Sequence, residues 1–380
     1  MSSWFKINTK GTDPVFAIQQ FLESVLKLDQ ISAVLTPLHL PAGHGVMPTL
    51  VTDVKQLQHA DPLSPAFPLN SAKLVAKLTR KRMDYHLAAV LRPCEIRAVI
   101  ELVKLNQANL DSVLMIGCDC LGAYTSADYK IYRENQGDDA SLQFYRNRIL
   151  AKTPAKGIDL SPACQVCEHP VPIGADILIG LFGVDEQDHL FVEAKTPKGE
   201  ELLSRLNLAG AEKPDQREQD IEALVADRKT KRDDMFAVTG QAVSSIEKLS
   251  QYLSACVNCY NCRVACPVCY CRECVFTTDV FDHESSQYLK WAERKGVLKM
   301  PMDTVFYHIT RLAHMSTGCV GCGQCSNACP NDIELMELFR TISHKTQKAF
   351  EYEAGRSLEE APPFSIFRED EFPEVIGVTN

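Results

Sequence analysis

Two cysteine runs leave this chain little freedom. The first is Cys256-x2-Cys259-x2-Cys262-x3-Cys266-Pro267; the second is Cys319-x2-Cys322-x2-Cys325-x3-Cys329-Pro330. Three thiols at x2 spacing let a tight loop wrap one face of a cubane cluster, with backbone N–H groups turned toward its sulfides. The fourth cysteine starts the following helix and points at the other cluster. One 4Fe-4S cluster is thus expected on Cys256, Cys259, Cys262 and Cys329, and another on Cys319, Cys322, Cys325 and Cys266. Gly318, Gly321 and Gly323 give the second loop close backbone approach. The competing reading is a pair of zinc sites. Zinc ligands usually come as two separated CxxC knuckles, not as a triple run ended by Cys-Pro. Cys269, Cys271 and Cys274 follow at once; they can supply part of another cluster, replace an assumed ligand or be structural. His308 and His314 read as core or surface residues, because the thiols already suffice.

The chain has 380 residues and 16 cysteines, 45% apolar and 23% charged residues, and a net charge of -9. A chain this long buries a core without disulfides. The charge argues against a nucleic-acid or anionic-membrane binder. No apolar run approaches the length of a membrane span. The N-terminus has neither a long apolar segment nor a twin arginine, so a secretory signal is not expected. A reducing cytoplasm follows as the expected location, where clustered cysteines mean metal.

The first half reads as α/β. Helices are expected at 13–28 (Asp13 as N-cap, Pro14 at the first position), 71–82 and 95–105. Strands are expected at 31–35, ended by Thr36-Pro37, and at 85–91, 112–117 and 177–184. Strand, helix, strand within about 35 residues is a βαβ unit and implies a parallel sheet. Residues 212–233 are dense in charge and read as exposed helix or linker, followed by an amphipathic helix near 243–253. Helix-like segments at 287–295 and 304–314 separate the cysteine runs. Four regions result: an α/β domain at 1–200, a charged helical linker at 201–250, a two-cluster ferredoxin-like domain at 251–345, and an extended tail at 346–380. The tail reads equally as a strap over another surface or as a loose terminus.

The other five cysteines are Cys94, Cys118, Cys120, Cys164 and Cys167. Cys94 follows one strand directly and opens a helix, whose dipole favours a thiolate. Cys118 and Cys120 follow the next strand. Both places lie at carboxyl ends of parallel strands, where open sheets form their ligand crevice. Cys164-x2-Cys167 lies in a loop. A third metal site and a set of buried free thiols both fit this spacing.

The segments Leu91-Arg92-Pro93-Cys94-Glu95-Ile96-Arg97-Ala98, Gly117-Cys118-Asp119-Cys120-Leu121-Gly122 and Cys164-Gln-Val-Cys167 resemble the coenzyme F420 hydrogenase/dehydrogenase beta-subunit family. The run from Cys259 to Cys271 and the segment His314-Met-Ser-Thr-Gly-Cys319-Val-Gly-Cys322 resemble its formate-dehydrogenase-type members. The resemblance implies a core 4Fe-4S cluster on Cys94, Cys120, Cys164 and Cys167, with Cys118 as an extra. It also implies FAD in the α/β domain. Asn70, Lys73, Lys77 and Arg92 are the candidate flavin contacts, chosen for polarity near the crevice; caps and surface charges are their alternative roles. Family members that use the deazaflavin coenzyme have a Gly-Gly turn before the first helix, where this chain has Gly11-Thr12-Asp13-Pro14.

The function this implies is that of an electron-transfer beta subunit of a cytoplasmic formate dehydrogenase. Formate chemistry would belong to a partner catalytic subunit with a molybdenum or tungsten pterin, and the electrons would go to a soluble carrier. The same subunit in a nickel–iron hydrogenase or another redox complex, and a flavin-free polyferredoxin-like adaptor, are the alternatives.

Overall fold

The computed structural model describes residues 4–9, 13–41, 45–81, 86–150, 157–184, 189–271, 273–279, 284–295 and 303–365. Gly11 and Thr12, the ends of the expected segments at Arg82 and Tyr85, and the tail beyond Ser365 lie outside them. The strands are β1 (Trp4–Asn8), β2 (Ala33–His39), β3 (Val46–Val51), β4 (Leu87–Leu91), β5 (Val113–Cys118), β6 (Ile177–Gly180), β7 (His189–Ala194) and β8 (Ala209–Ala211). They form one sheet in the order β3-β2-β4-β5-β6-β7-β1-β8. The centre, β2-β4-β5-β6, is parallel as expected. Antiparallel strands flank it on both sides.

The first helices are α1 (Pro14–Leu26), α2 (Ala72–Thr79) and α3 (Pro93–Lys104). Asp13 caps α1, its carboxylate accepting from the N–H groups of Val15 and Phe16. Crossovers that keep the same hand and the same direction along a sheet deliver their helices to one face. Accordingly α2 and α3 pack together, with Val75, Ile96 and Ile100 against Leu87, Ala89 and Met115. The alternate residues Ala88, Leu114 and Ile116 point to the other face, against Ile18, Leu22 and Val25 of α1. The two periods, 2 along strands and 3.6 along helices, thus split the core into two layers.

Next come α4 (Ser126–Gln136), α5 (Ala140–Tyr145), α6 (Pro162–Gln165), α7 (Pro197–Ser204), α8 (Arg217–Ala242) and α9 (Ile246–Tyr252). The cysteine-rich region holds α10 (Asn261–Ala265), α11 (Ser285–Lys295), α12 (Asp303–Met315), α13 (Gln324–Asn327) and α14 (Leu335–Ala349). This region adds to the layer under α2 and α3: Tyr307, Met315, Leu335, Leu338 and Phe339 join the same apolar cluster as Ile96 and Ile100. Burying this much apolar surface between the two halves is what joins them.

Three expectations change and one is narrowed. The strand at 31–35 runs on through Thr36-Pro37 to His39. Pairing with β4 has already ended at Leu35, so the N–H that Pro37 lacks is not missed on that side; Pro37 faces Pro48 of β3. The charged segment, expected as exposed helix or linker, takes the helix reading: α8 runs from Arg217 to Ala242 and packs along α14. The fourth cysteine of each run closes a short helix instead of opening one: Cys266 is the C-cap of α10, and Cys329 follows α13. Finally, helix α14 continues to Ala349, so the tail begins later than residue 346.

Past α14 the chain lies across α3. The Tyr352 hydroxyl donates to both Glu101 carboxylate oxygens (2.6 and 2.8 Å), and the Gly355 N–H donates to the same carboxylate (2.6 Å). Arg97 Nε donates to the Ala354 carbonyl (3.0 Å). Gly355 has φ 75°, and a Cβ there would come within 2.4 Å of the Arg97 Cβ, so glycine is required.

At the carboxyl end of β5, Asp119 is buried and pairs with Arg217, the first residue of α8, through both guanidinium nitrogens. It also accepts from the Leu181 N–H (2.8 Å). Removing one partner of a buried pair strands the other charge, at a cost of about 3–5 kcal/mol. Asp119→Ala is therefore expected to lose about that much stability in urea unfolding, and Asp119→Leu combined with Arg217→Met to recover most of it. A loss under about 1 kcal/mol for the single variant would show that the pair does not anchor α8.

Candidate metal centres

The two cysteine runs fold as matched loops. In the first, Asn258 (φ 52°) and Tyr260 (φ 59°) are left-handed; in the second, Gly321 (φ 69°) and Gly323 (φ 77°) occupy the corresponding positions. Left-handed residues directly before and after the middle cysteine make each loop concave, with its thiols turned inward. Gly318 needs no such freedom; a Cβ there would make only ordinary contact.

The loops exchange their fourth cysteines. One cavity is lined by Cys256, Cys259, Cys262 and Cys329, closed by Tyr260, Tyr307, Ile333 and Leu335. A second is lined by Cys319, Cys322, Cys325 and Cys266, closed by Val268, Met315, Met336 and Phe339. These are the crossed sets expected from the spacing. The first, outer quartet reaches the surface at Cys259. The Cys256 sulfur lies 3.4 Å from His308 Nε2, and the Cys262 sulfur 3.4 Å from the Tyr307 hydroxyl. His308 is fully buried, and burial followed by the nearby Arg311 lowers its pKa to about 3, so it stands neutral. His314 is exposed.

A third group of thiols, the core set expected from the resemblance, lies near the ends of β4 and β5. Burial pushes the Cys94 thiol well above its ordinary pKa, and Cys322, Glu95, Cys120 and Cys167 push it further. Cys164 is raised by burial and then by Cys120 and Cys167. Cys94, Cys120, Cys164 and Cys167 are thus electrostatic neighbours. The Ala123 N–H donates to the Cys164 sulfur (3.3 Å), and Arg92 Nη1 lies 3.8 Å from the Cys120 sulfur. The carboxylate of Glu95 holds the segment in place: it accepts from the N–H of Arg92 (2.8 Å) and from that of Ser71 (2.7 Å). Cys94 therefore starts α3 from a fixed position.

The inner and core quartets adjoin. Cys322 is the thiol that acts most strongly on Cys94. A Cβ on Gly323 would come within 2.5 Å of the Ala163 Cβ, on the helix that carries Cys164. Inner thiols are also raised by burial: Cys325 well above its ordinary value, and Cys319 and Cys322 likewise. Protein alone keeps such sulfurs protonated; a bound multivalent metal centre ionises them. A zinc ion is usually held by two separated CxxC knuckles rather than by a triple cysteine run. Caged quartets with apolar walls fit cubane clusters instead.

The remaining thiols stay apart. Cys118 faces the apolar layer under α1, with Leu114 and Ile116. Cys269 and Cys274 pack on the opposite layer and Cys271 is exposed, so Cys118 does not join them. Burial, then Cys266, raises Cys269 to about 11.

The four candidate flavin contacts are dispersed. Arg92 is spent on carbonyls and a sulfur: Nη2 donates to Ser64 (2.5 Å) and Ala66 (3.0 Å), Nη1 to Gly122 (3.4 Å). Lys73 Nζ donates to the Val264 carbonyl on the first cysteine run (2.8 Å), with Lys77 nearby. Asn70 turns its carbonyl oxygen to the Ala72 N–H (3.0 Å). None of them lines the cavity of about 390 Å³ beside the core quartet, whose walls include Leu121, Arg148, Leu160, Gln165, Phe182 and Arg228.

Buried arginines are what sequence reading missed. Arg311 stands between the outer and inner quartets. Arg340 lies against Gly321 and pairs with Glu168, next to Cys167. Arg97 Nη1 donates to the Val320 carbonyl of the second loop (3.2 Å). One signal was available: buried positions of α12 follow Thr304, Tyr307, His308, Arg311 and Met315, a helical stripe with a charge in it.

Known proteins match both the α/β region and the cysteine-rich region. Residues 84–219 match the family described as the C terminus of the coenzyme F420 hydrogenase/dehydrogenase beta subunit, and residues 251–333 match the 4Fe-4S dicluster domain. The F420-dependent formate dehydrogenase subunit beta of Methanocaldococcus jannaschii is 29% identical over 347 residues, 85% of this chain and 86% of that protein. The F420-dependent formate dehydrogenase 1 subunit beta of Methanococcus maripaludis is 30% identical over 348 residues, 84% of this chain and 85% of that protein. A chain from the xenon-derivatised F420-reducing NiFe hydrogenase complex of Methanosarcina barkeri superposes with a TM-score of 0.45 at 15% identity, covering 65% of this chain and 94% of that one. With a relative this similar along most of both lengths, the chain belongs to the coenzyme F420 hydrogenase/dehydrogenase beta-subunit family.

Proposed function

We propose that this chain is the electron-transfer beta subunit of a formate dehydrogenase, with three 4Fe-4S clusters on the outer, inner and core quartets. The observation that carries the reading is the sequence of quartets: the outer one opens to the surface at Cys259, and the inner one meets the core one where Cys322 approaches Cys94. Bound clusters exchange single electrons, and a flavin converts between one- and two-electron chemistry. The chain's own residues supply spacing and insulation. Gly323 against Ala163 sets how near the inner loop comes to the core loop. Phe339, Met315 and Met336 keep water from the inner thiols. Arg92 ties the Cys120 turn, through the Cys120 sulfur and the Gly122 carbonyl, to the Ser64 and Ala66 carbonyls.

Formate chemistry is assigned to a partner catalytic subunit with a molybdenum or tungsten pterin, and a soluble carrier is the other redox partner; a cytoplasmic location suits both. The names of the F420-dependent relatives support this reading over the hydrogenase and adaptor alternatives. FAD is assigned to the cavity beside Leu121 and Gln165, whose size falls in the small-molecule range. The described helices include none long and apolar enough to cross a membrane.

Two experiments test the proposal. Cys94→Ala is expected to lose roughly one third of the iron, and Cys322→Ala a similar share, while Cys118→Ala keeps all of it. Iron loss in the Cys118 variant with none in the Cys94 variant would sink the core assignment. Anaerobic purification of the chain with its partners should yield acid-labile sulfide, a pterin-containing subunit and yellow, fluorescent material released on denaturation. Colourless supernatant from iron-loaded protein would favour the flavin-free adaptor.

A further inference from the structure

Where the outer and inner quartets meet stands a buried cation. Arg311 is 5% exposed and lines the inner cavity. Its Nη2 donates to the Cys262 carbonyl of the outer quartet (3.2 Å), while Nε and Nη1 have no hydrogen-bond partner. The guanidinium lies 4.5 Å from the Phe339 ring centroid and 5.7 Å from that of Tyr307. Other buried arginines near the quartets have different company: Arg217 pairs with Asp119 and Arg340 with Glu168, while Arg97 and Arg228 each donate to two backbone carbonyls. Arg311 forms no ion pair with a carboxylate among the described residues, and the groups whose charge bears on it are Cys262, Cys266, Tyr307 and Cys325. A buried cation with idle donors calls for an anion. Two quartets of thiolates around iron–sulfur cores supply it on both sides, since such clusters are anionic and their potentials respond to nearby charge and N–H donors.

We propose that Arg311 is the shared counter-cation of the two ferredoxin-type clusters and makes both easier to reduce. The inference rests on the cluster reading above and adds a potential-setting residue to it. The test is an EPR-monitored redox titration of the full chain, loaded anaerobically with iron and sulfide, as wild type and as Arg311→Met, Arg311→Gln and Arg311→Lys. With the charge removed in the Met and Gln variants, the reduced-to-oxidised ratio of both ferredoxin-type clusters at a fixed potential should fall about tenfold, which is about 59 mV for a one-electron couple. The core cluster should not move, and the Lys variant should stay near wild type. Iron-loaded Met and Gln variants titrating at wild-type midpoints would overturn the proposal. If those two take up no iron, the Lys variant decides: loading by Lys alone supports a requirement for charge, and equal failure of Lys overturns it in favour of shape. A wild-type protein with no 4Fe-4S signal would bring down the cluster reading itself, a distinguishable result.

Discussion

Everything here is mounted on one helix. Cys94 sits in the first turn of α3, Arg97 one turn later, and Glu101 one turn after that. Positions three and seven residues apart lie on one helical face. So the segment that carries a core thiol also holds the Val320 carbonyl between Cys319 and Cys322, and binds the chain at 352–355. Gln347 of α14 completes the bracket, donating to the Ser316 and Cys319 carbonyls and accepting from the Ala354 N–H. The distance between the core and inner quartets is therefore set by a rigid element and not by a linker.

The cysteine-rich region does not build a core apart from the sheet's layers. Its helices complete the layer begun by α2 and α3, and this matters for the thiols. A metal centre in a loop exposed on all sides would sit in water; here the inner quartet is sealed by Met315, Met336 and Phe339. The sheet gives the core quartet its other walls. Parallel strands β4 and β5 end side by side, and each delivers a cysteine just past its last residue.

Much of this was legible in the sequence because it is local. The spacing of the cysteine runs specifies both loops and the exchange of Cys266 and Cys329. Period-2 and period-3.6 patterns gave α1, α3, β4 and β5. What escaped was non-local or polar. Strand β8 is Ala-Gly-Ala and shows no alternation; only pairing with β1 makes it a strand. Helix α8 was legible only as helix or linker because its apolar residues form no stripe, and its anchor is a buried ion pair formed with Asp119, ninety-eight residues earlier in the chain. The candidate flavin contacts were chosen by closeness to the crevice in sequence. In three dimensions Lys73 turns to the first cysteine run and Arg92 is consumed by carbonyls. The charges that matter most near the thiols are arginines brought from α12 and α14, which no short motif announces.

The two matched loops differ in what fills their left-handed positions. The inner loop has Gly321 in tight contact with the Arg340 side chain and Gly323 against Ala163 with no room for a side chain. The outer loop has Asn258 and Tyr260 at the same places, and both side chains are used: Asn258 accepts from the Thr304 hydroxyl, and Tyr260 stacks edge-on to Tyr307. A doubled motif has thus become a polar pair of ends. One loop is fixed by close neighbours, most tightly at Gly323. The other holds its shape through replaceable side chains at the rim, so the surface around the exposed Cys259 can be recut for a different docking protein without disturbing the conduit behind it.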